Sequence, residues 1–186
     1  MRIKLMRELA MMLFAALSVG LVIAGASDDK DKTKGKLSTS DADFLTEAWQ
    51  GGMLEVRLGR LASEKSTNAD VKNFGEMMKD DHTKVNDQLK QLAVRKGVKL
   101  DSKMEKAHMD TYSRLSRLSG TEFDKEYMDL MVDDHEEDVD KFQKMAEVAD
   151  DPDVKSFASK HLSTLKHHLQ EAKRIDGSIK GMSKNI

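Results

Sequence analysis

From about residue 40 to residue 177, apolar positions recur at intervals of three and four, the spacing that returns a side chain to the same face of an α-helix. Ser40 opens a first segment with Asp43 three residues on as a capping-box-like acid, and Leu45, Ala48, Gly52, Gly59 and Ala62 carry its inner face to about Ser66. Asn68 caps a second, whose stripe is Val71, Phe74, Met78, His82, Val85, Leu89 and Leu92, and Gly97 stops it. A shorter third, at about 102–118, carries Met104, Ala107, Thr111, Leu115 and Leu118 and ends at Ser119-Gly120. The fourth, at about 122–149, places Phe123, Tyr127, Met131, His135, Val139, Phe142 and Ala146 on one face. Asp151-Pro152 is an N-cap followed by proline at the first helical position, and the fifth segment uses Val154, Ala158, His161, Leu165, His168, Ala172 and Ile175 until Gly177. The short connections favour antiparallel neighbours. The predicted fold is all-α, an up-and-down four-helix bundle with one short extra helix.

The chain ends read differently. Residues 1–26 combine a basic start (Arg2, Lys4, Arg7), a 16-residue apolar run from Leu9 to Ala24, and Ala24-Gly25-Ala26, the layout of a signal peptide cut after Ala26. A spanning helix needs roughly 17 residues or more, close enough to this run that a retained membrane anchor is the competing reading; cleavage would leave a mature chain with no transmembrane segment, exported to the periplasm or cell envelope. It would keep 28 basic and 32 acidic residues, a net charge of −4. Residues 27–39 mix both charge signs with Gly, Ser and Thr and predict a disordered linker; 178–186 predict a flexible tail.

Composition narrows the chemistry. There is no cysteine, which excludes disulfides, thiol catalysis and cysteine-ligated zinc or iron–sulfur sites. Lys and Arg number 31 against 33 Asp and Glu, which supplies no basic surface for nucleic acid. Gly-rich phosphate loops, H-E-x-x-H, G-x-S-x-G and dinucleotide fingerprints are missing from the sequence.

The unusual feature is ionisable residues at core positions: Glu55, His82, His135, and His161 with His168. Burying them is costly unless they pair with one another or with a metal. Glu55, His82, His135 and His168 come from four different helices. A carboxylate with three imidazoles suits a divalent transition metal, zinc, iron, manganese or copper, and nearby Met78 and Met131 would favour copper(I). The competing reading is a satisfied core network with methionine as filler. Met78-Lys79-Asp80-Asp81-His82 and Met131-Val132-Asp133-Asp134-His135 repeat one pattern at an offset of 53 residues and suggest two related helical hairpins. The acidic flanks, Asp80-Asp81, Asp133-Asp134 and Glu136-Glu137-Asp138, read as solvated faces. Glu105-Lys106-Ala107-His108 is a single copy of the Glu-x-x-His pair that di-iron bundles use twice.

The run Phe44, Ala48, Gly52-Met53-Leu54-Glu55, Leu58-Gly59, Leu61-Ala62, then Val71-Lys72-Asn73-Phe74-Gly75, Met78 and Asp81-His82-Thr83 resembles the start of the family known as domain of unknown function (DUF) 4142. Phe123-Asp124-Lys125-Glu126-Tyr127-Met128, Asp134-His135-Glu136 and Phe157-Ala158 with Leu162, Leu165 and His168-Leu169 fit its later helices. The resemblance spans about 40–175 and implies a ferritin-like bundle exported in bacteria, periplasmic or outer-membrane, with no established activity. The residues three before His82, His135 and His168 are Lys79, Val132 and Leu165, so the di-metal motif of ferritin-like relatives does not carry over. Two functions stay open: a non-enzymatic envelope protein, metal-binding or stress-related, with an unidentified protein partner or a second copy of itself; and a metal-dependent ferritin-like oxidoreductase.

Overall fold

The computed structural model describes residues 37–183, in which there are five α-helices and no strand. They are α1 (Thr39–Lys65), α2 (Ala69–Lys96), α3 (Lys106–Ser116), α4 (Gly120–Val148) and α5 (Pro152–Ser183). The signal-peptide segment 1–26 and most of the predicted linker lie outside the described residues. None of the described helices is long and apolar enough to cross a membrane.

Local chemistry sets the helix ends. Ser38, rather than Ser40, caps α1, its side chain accepting from the Asp41 N–H at 3.1 Å. Residues 37–39 therefore belong to the folded part, and Leu37 packs against the core. Asn68 Oδ1 accepts from the Asp70 and Val71 amides, and Asp151 Oδ1 from those of Asp153 and Val154. Gly97 closes α2 at φ 70°, the left-handed conformation that glycine adopts without a Cβ penalty.

Two boundaries differ from the sequence expectation. The third segment is helical only from Lys106, because side chains of α1 occupy the backbone before it. Trp49 Nε1 donates to the Asp101 carbonyl at 2.6 Å, Gln50 Nε2 donates to the Lys103 carbonyl at 3.1 Å, and the Glu105 N–H donates to Gln50 Oε1 at 3.0 Å. Gly177 does not end the fifth helix, and 178–183 are not a flexible tail. A helical glycine costs only about 1 kcal/mol relative to alanine. That is offset by burial of Ile179 in the core and by Lys180, which pairs with Asp129 at 2.6 Å and Asp176 at 2.7 Å.

α1 packs along α2 and α4 along α5, each far more extensively than any other pair; α2 meets α5, α1 meets α4, and α3 leans on α1 and α4. Where α1 crosses α2, two glycines face each other. A Cβ on Gly59 would lie 2.6 Å from the Gly75 carbonyl oxygen, and one on Gly75 would lie 2.7 Å from that of Gly59. The two backbones touch there, which fixes the register between Glu55, one turn from Gly59, and His82, two turns from Gly75.

The pairing bears on the internal repeat. His82 lies on the second helix of one hairpin and His135 on the first helix of the other, whereas a duplicated hairpin would place the second copy in α5. The repeat marks two helices with the same inward pattern, not two copies of one hairpin.

The core forms two apolar clusters. One contains Leu58, Phe74, Met78, Phe123, Tyr127, Met131 and Ile175; the other contains Phe44, Leu45, Leu89, Phe142, Phe157 and Leu165. The buried Glu55, His82, His135 and His168 belong to neither cluster.

Candidate metal centre

His82, His135 and His168 come from α2, α4 and α5, and one ring nitrogen of each lies within 4.8 Å of the others; all three are buried. Their ring centroids are 5.6 Å (82 to 135), 5.3 Å (82 to 168) and 5.4 Å (135 to 168) apart. A tetrahedral ion with bonds of about 2.1 Å needs nitrogens about 3.4 Å apart, so the rings would draw in slightly around one.

Each imidazole has one nitrogen engaged. His135 Nδ1 lies 2.9 Å from the Met131 carbonyl oxygen, which can only accept, so Nδ1 carries the hydrogen and Nε2 the lone pair. His82 Nδ1 lies 2.7 Å from Glu55 Oε2, and His168 Nε2 lies 3.3 Å from Asp81 Oδ2. The remaining nitrogens, His82 Nε2, His135 Nε2 and His168 Nδ1, are buried without a hydrogen-bond partner.

Glu55 stands against this group from α1. Burial alone would raise its pKa, but the charge and hydrogen bond of His82, then the charges of His135 and His168, bring it down to about 2. Its Oε1 lies 3.5 Å from His135 Nε2 and has no hydrogen bond. For His82, burial works against the proton, but the charge and hydrogen bond of Glu55 outweigh it and the pKa is raised. His135 is shifted down, chiefly by burial. His168 is pushed down to about 4 by burial and by the charges of the other two rings. The cluster therefore sets one ring that Glu55 inclines toward protonation beside two that burial inclines toward the neutral form.

Met78 and Met131, one turn from the histidines, are fully buried in the apolar cluster. His161 is buried elsewhere on the α5 face, and His167 faces out.

A cleft of about 470 Å³ between α1, α3 and α4 reaches the cluster at Glu55. Glu47, Glu105, His108, Asp134, Glu137 and Asp138 line it, with Lys141 the one Lys or Arg in its wall. Asp134 and Asp138 are thus not on a plain solvated face. They are half-buried, and burial followed by the charge of Glu55 raises their pKa values to about 7 and about 8. Their spacing of four was the available signal. Glu105 and His108 lie in the cleft wall and do not join the histidine group. Asp81 as the partner of His168 was missed, because a contact between α2 and α5 leaves no trace in spacing.

Residues 26–175 match the family "Domain of unknown function (DUF4142)". The chain belongs to the DUF4142 family. No match was found among curated proteins. A crystal structure of a DUF305 fragment from Deinococcus radiodurans is similar to this DUF4142 chain with a TM-score of 0.67 and 15% identity, over 76% of this chain and 98% of that one. That likeness is one of fold. The histidine group of this DUF4142 protein rests on its own side chains.

Proposed function

We propose that this is a non-enzymatic, transition-metal-binding protein of the bacterial cell envelope, in which His82, His135 and His168 hold a divalent ion with Glu55 beside or within the shell. The observation that carries the reading is the division of labour in the three rings. In a metal site a ligating histidine donates its other N–H to a carboxylate or carbonyl, which fixes the tautomer and aims the lone pair. Glu55, the Met131 carbonyl and Asp81 occupy those roles, one nitrogen of each ring is left without a partner, and the three rings each bring a nitrogen within 4.8 Å of the others. Three buried ring nitrogens without partners in one place are expensive in a purely structural network. Neutral imidazoles favour zinc, copper, iron or nickel over calcium and magnesium, which prefer oxygen. The acidic cleft would concentrate cations outside the cluster.

In this reading α1, α2, α4 and α5 form a ferritin-like up-and-down bundle and α3 covers the cleft. Export rests on the pattern of residues 1–26, and mass spectrometry of the periplasmic product should find Ser27 at its N-terminus. The metal test is elemental analysis after loading with zinc or copper and gel filtration. One ion per chain is expected, and less than a tenth of that in the His82→Ala, His135→Ala double variant. Equal metal in both proteins would assign the binding to surface carboxylates and end the proposal.

A further inference from the structure

A second group of unpartnered polar atoms lies beside the cluster. On α5, His161 precedes His168 by seven residues and so shares its face; on α2, Asn86 follows His82 by four. Both are buried, at 6% and 7% exposure. His161 Nε2 and Asn86 Oδ1 have no hydrogen-bond partner. The His161 ring is held against Phe157, their centroids 4.7 Å apart. The place of Asn86 depends on a glycine: a Cβ on Gly52 would lie 2.3 Å from Asn86 Oδ1.

These two residues share a small cavity with His82, His168 and Glu55. It offers about 10 Å³ to the centre of a water-sized sphere, enough for one water and no more. An ion on the three convergent nitrogens would satisfy His82, His135 and His168 and leave Asn86 and His161 still orphaned. Buried polar groups in native proteins find partners, commonly one ordered water. Burial, then the charges of Lys160 and His82, holds the pKa of His161 at about 4, so its ring is neutral at pH 7 and can accept a hydrogen bond.

We infer that this chamber holds one exchangeable water, which donates hydrogen bonds to Asn86 Oδ1 and His161 Nε2 and lies against the ion on the histidine cluster. The inference rests on the reading of that cluster as a metal site and deepens it, since it makes the site open rather than closed. An open position is what separates a reactive centre from a structural one.

The test uses the full chain loaded with one equivalent of Cu²⁺ and pulsed electron paramagnetic resonance in H₂O and D₂O. The wild type should show imidazole nitrogen modulation together with coupling to exchangeable deuterons on the copper. The His161→Phe variant, whose ring removes the acceptor and fills the chamber, should keep the imidazole modulation and lose the deuteron coupling. His161→Gln, which retains a polar end, should keep both. Imidazole modulation without deuteron coupling in the wild type would overturn the inference while leaving the metal site standing, and needs no variant to fold. Deuteron coupling unchanged in His161→Phe would place the water elsewhere and overturn it too. A copper signal with no imidazole modulation would overturn the metal reading itself.

Discussion

Replacing Gly59 by alanine sets two effects of opposite sign against each other. In the interior of a helix, glycine to alanine normally stabilises by about 1 kcal/mol, because alanine loses less backbone entropy on folding. At Gly59 the new methyl would meet the Gly75 carbonyl oxygen at 2.6 Å and the Lys79 nitrogen at 2.8 Å, both backbone atoms that cannot rotate away. Relief requires α1 and α2 to separate by about half an ångström or more. Overpacking of this kind costs about 1–3 kcal/mol, and the upper end applies where the obstacle is backbone. The net expectation is a loss of about 2 kcal/mol, or a fall in Tm of about 4–8 °C for a domain of this size. Gly51 is the internal control: it lies in the same helix and a Cβ there meets nothing within 4 Å. Gly51→Ala should therefore raise Tm by about 2–4 °C. Thermal denaturation followed by circular dichroism at 222 nm reads both. Separation of the helices would also lengthen the 2.7 Å contact of His82 Nδ1 with Glu55 Oε2, so Gly59→Ala should weaken zinc binding and Gly51→Ala should not. A rise in Tm of equal size in both variants would refute the close crossing and with it the account of how Glu55 is brought to His82.

Three further outcomes follow from the packing and the charges. Phe142→Ala empties the place of a ring that contacts Phe44 and Phe157 at centroid distances of 4.9 Å and 6.1 Å, and should cost about 3–5 kcal/mol in urea denaturation; a loss below about 1 kcal/mol would contradict its core position. Because Glu55 raises the pKa of His82 while His135 and His168 are shifted down, zinc binding at pH 6.5 should release about one proton and not three, measured by calorimetry in buffers of different ionisation enthalpy. His161 is folded with a pKa of about 4 against about 6.5 unfolded, so between those values the unfolded chain holds the extra proton and stability is lost as pH falls; His161→Phe should remove up to about 1.4 kcal/mol per pH unit of that slope between pH 6 and pH 5, and an unchanged slope would show the ring to be solvated.

The helices were legible because nearly every stripe holds the three-four spacing, and Phe74 and Phe142 are buried as their stripes demand. The candidate site was legible for the same reason: an ionisable residue on an apolar stripe is conspicuous. Helix ends were less so. The start of α3 is decided by Trp49 and Gln50, which lie about fifty residues away in sequence, and the extension of α5 by Ile179 finding a place in the core. Local signals cannot report such tertiary contacts.

What spacing could not reveal is which partner each histidine takes, and that is where the chemistry lies. The sequence pattern makes His82 and His135 equivalent, each four residues after a methionine. The fold makes them unequal. His82 faces Glu55 across the glycine crossing, which raises its pKa; His135 turns back to its own helix at the Met131 carbonyl, and burial lowers its pKa. A satisfied core network would have joined the free nitrogens to donors, as buried networks normally are. Here each ring brings a nitrogen within 4.8 Å of the others and one nitrogen of each has no hydrogen-bond partner, and replacing such a layer with hydrophobic residues would commonly stabilise a protein rather than harm it. Stability therefore does not account for the layer. A cation held by the three rings would supply at once a positive charge beside Glu55 and the partner each ring is missing.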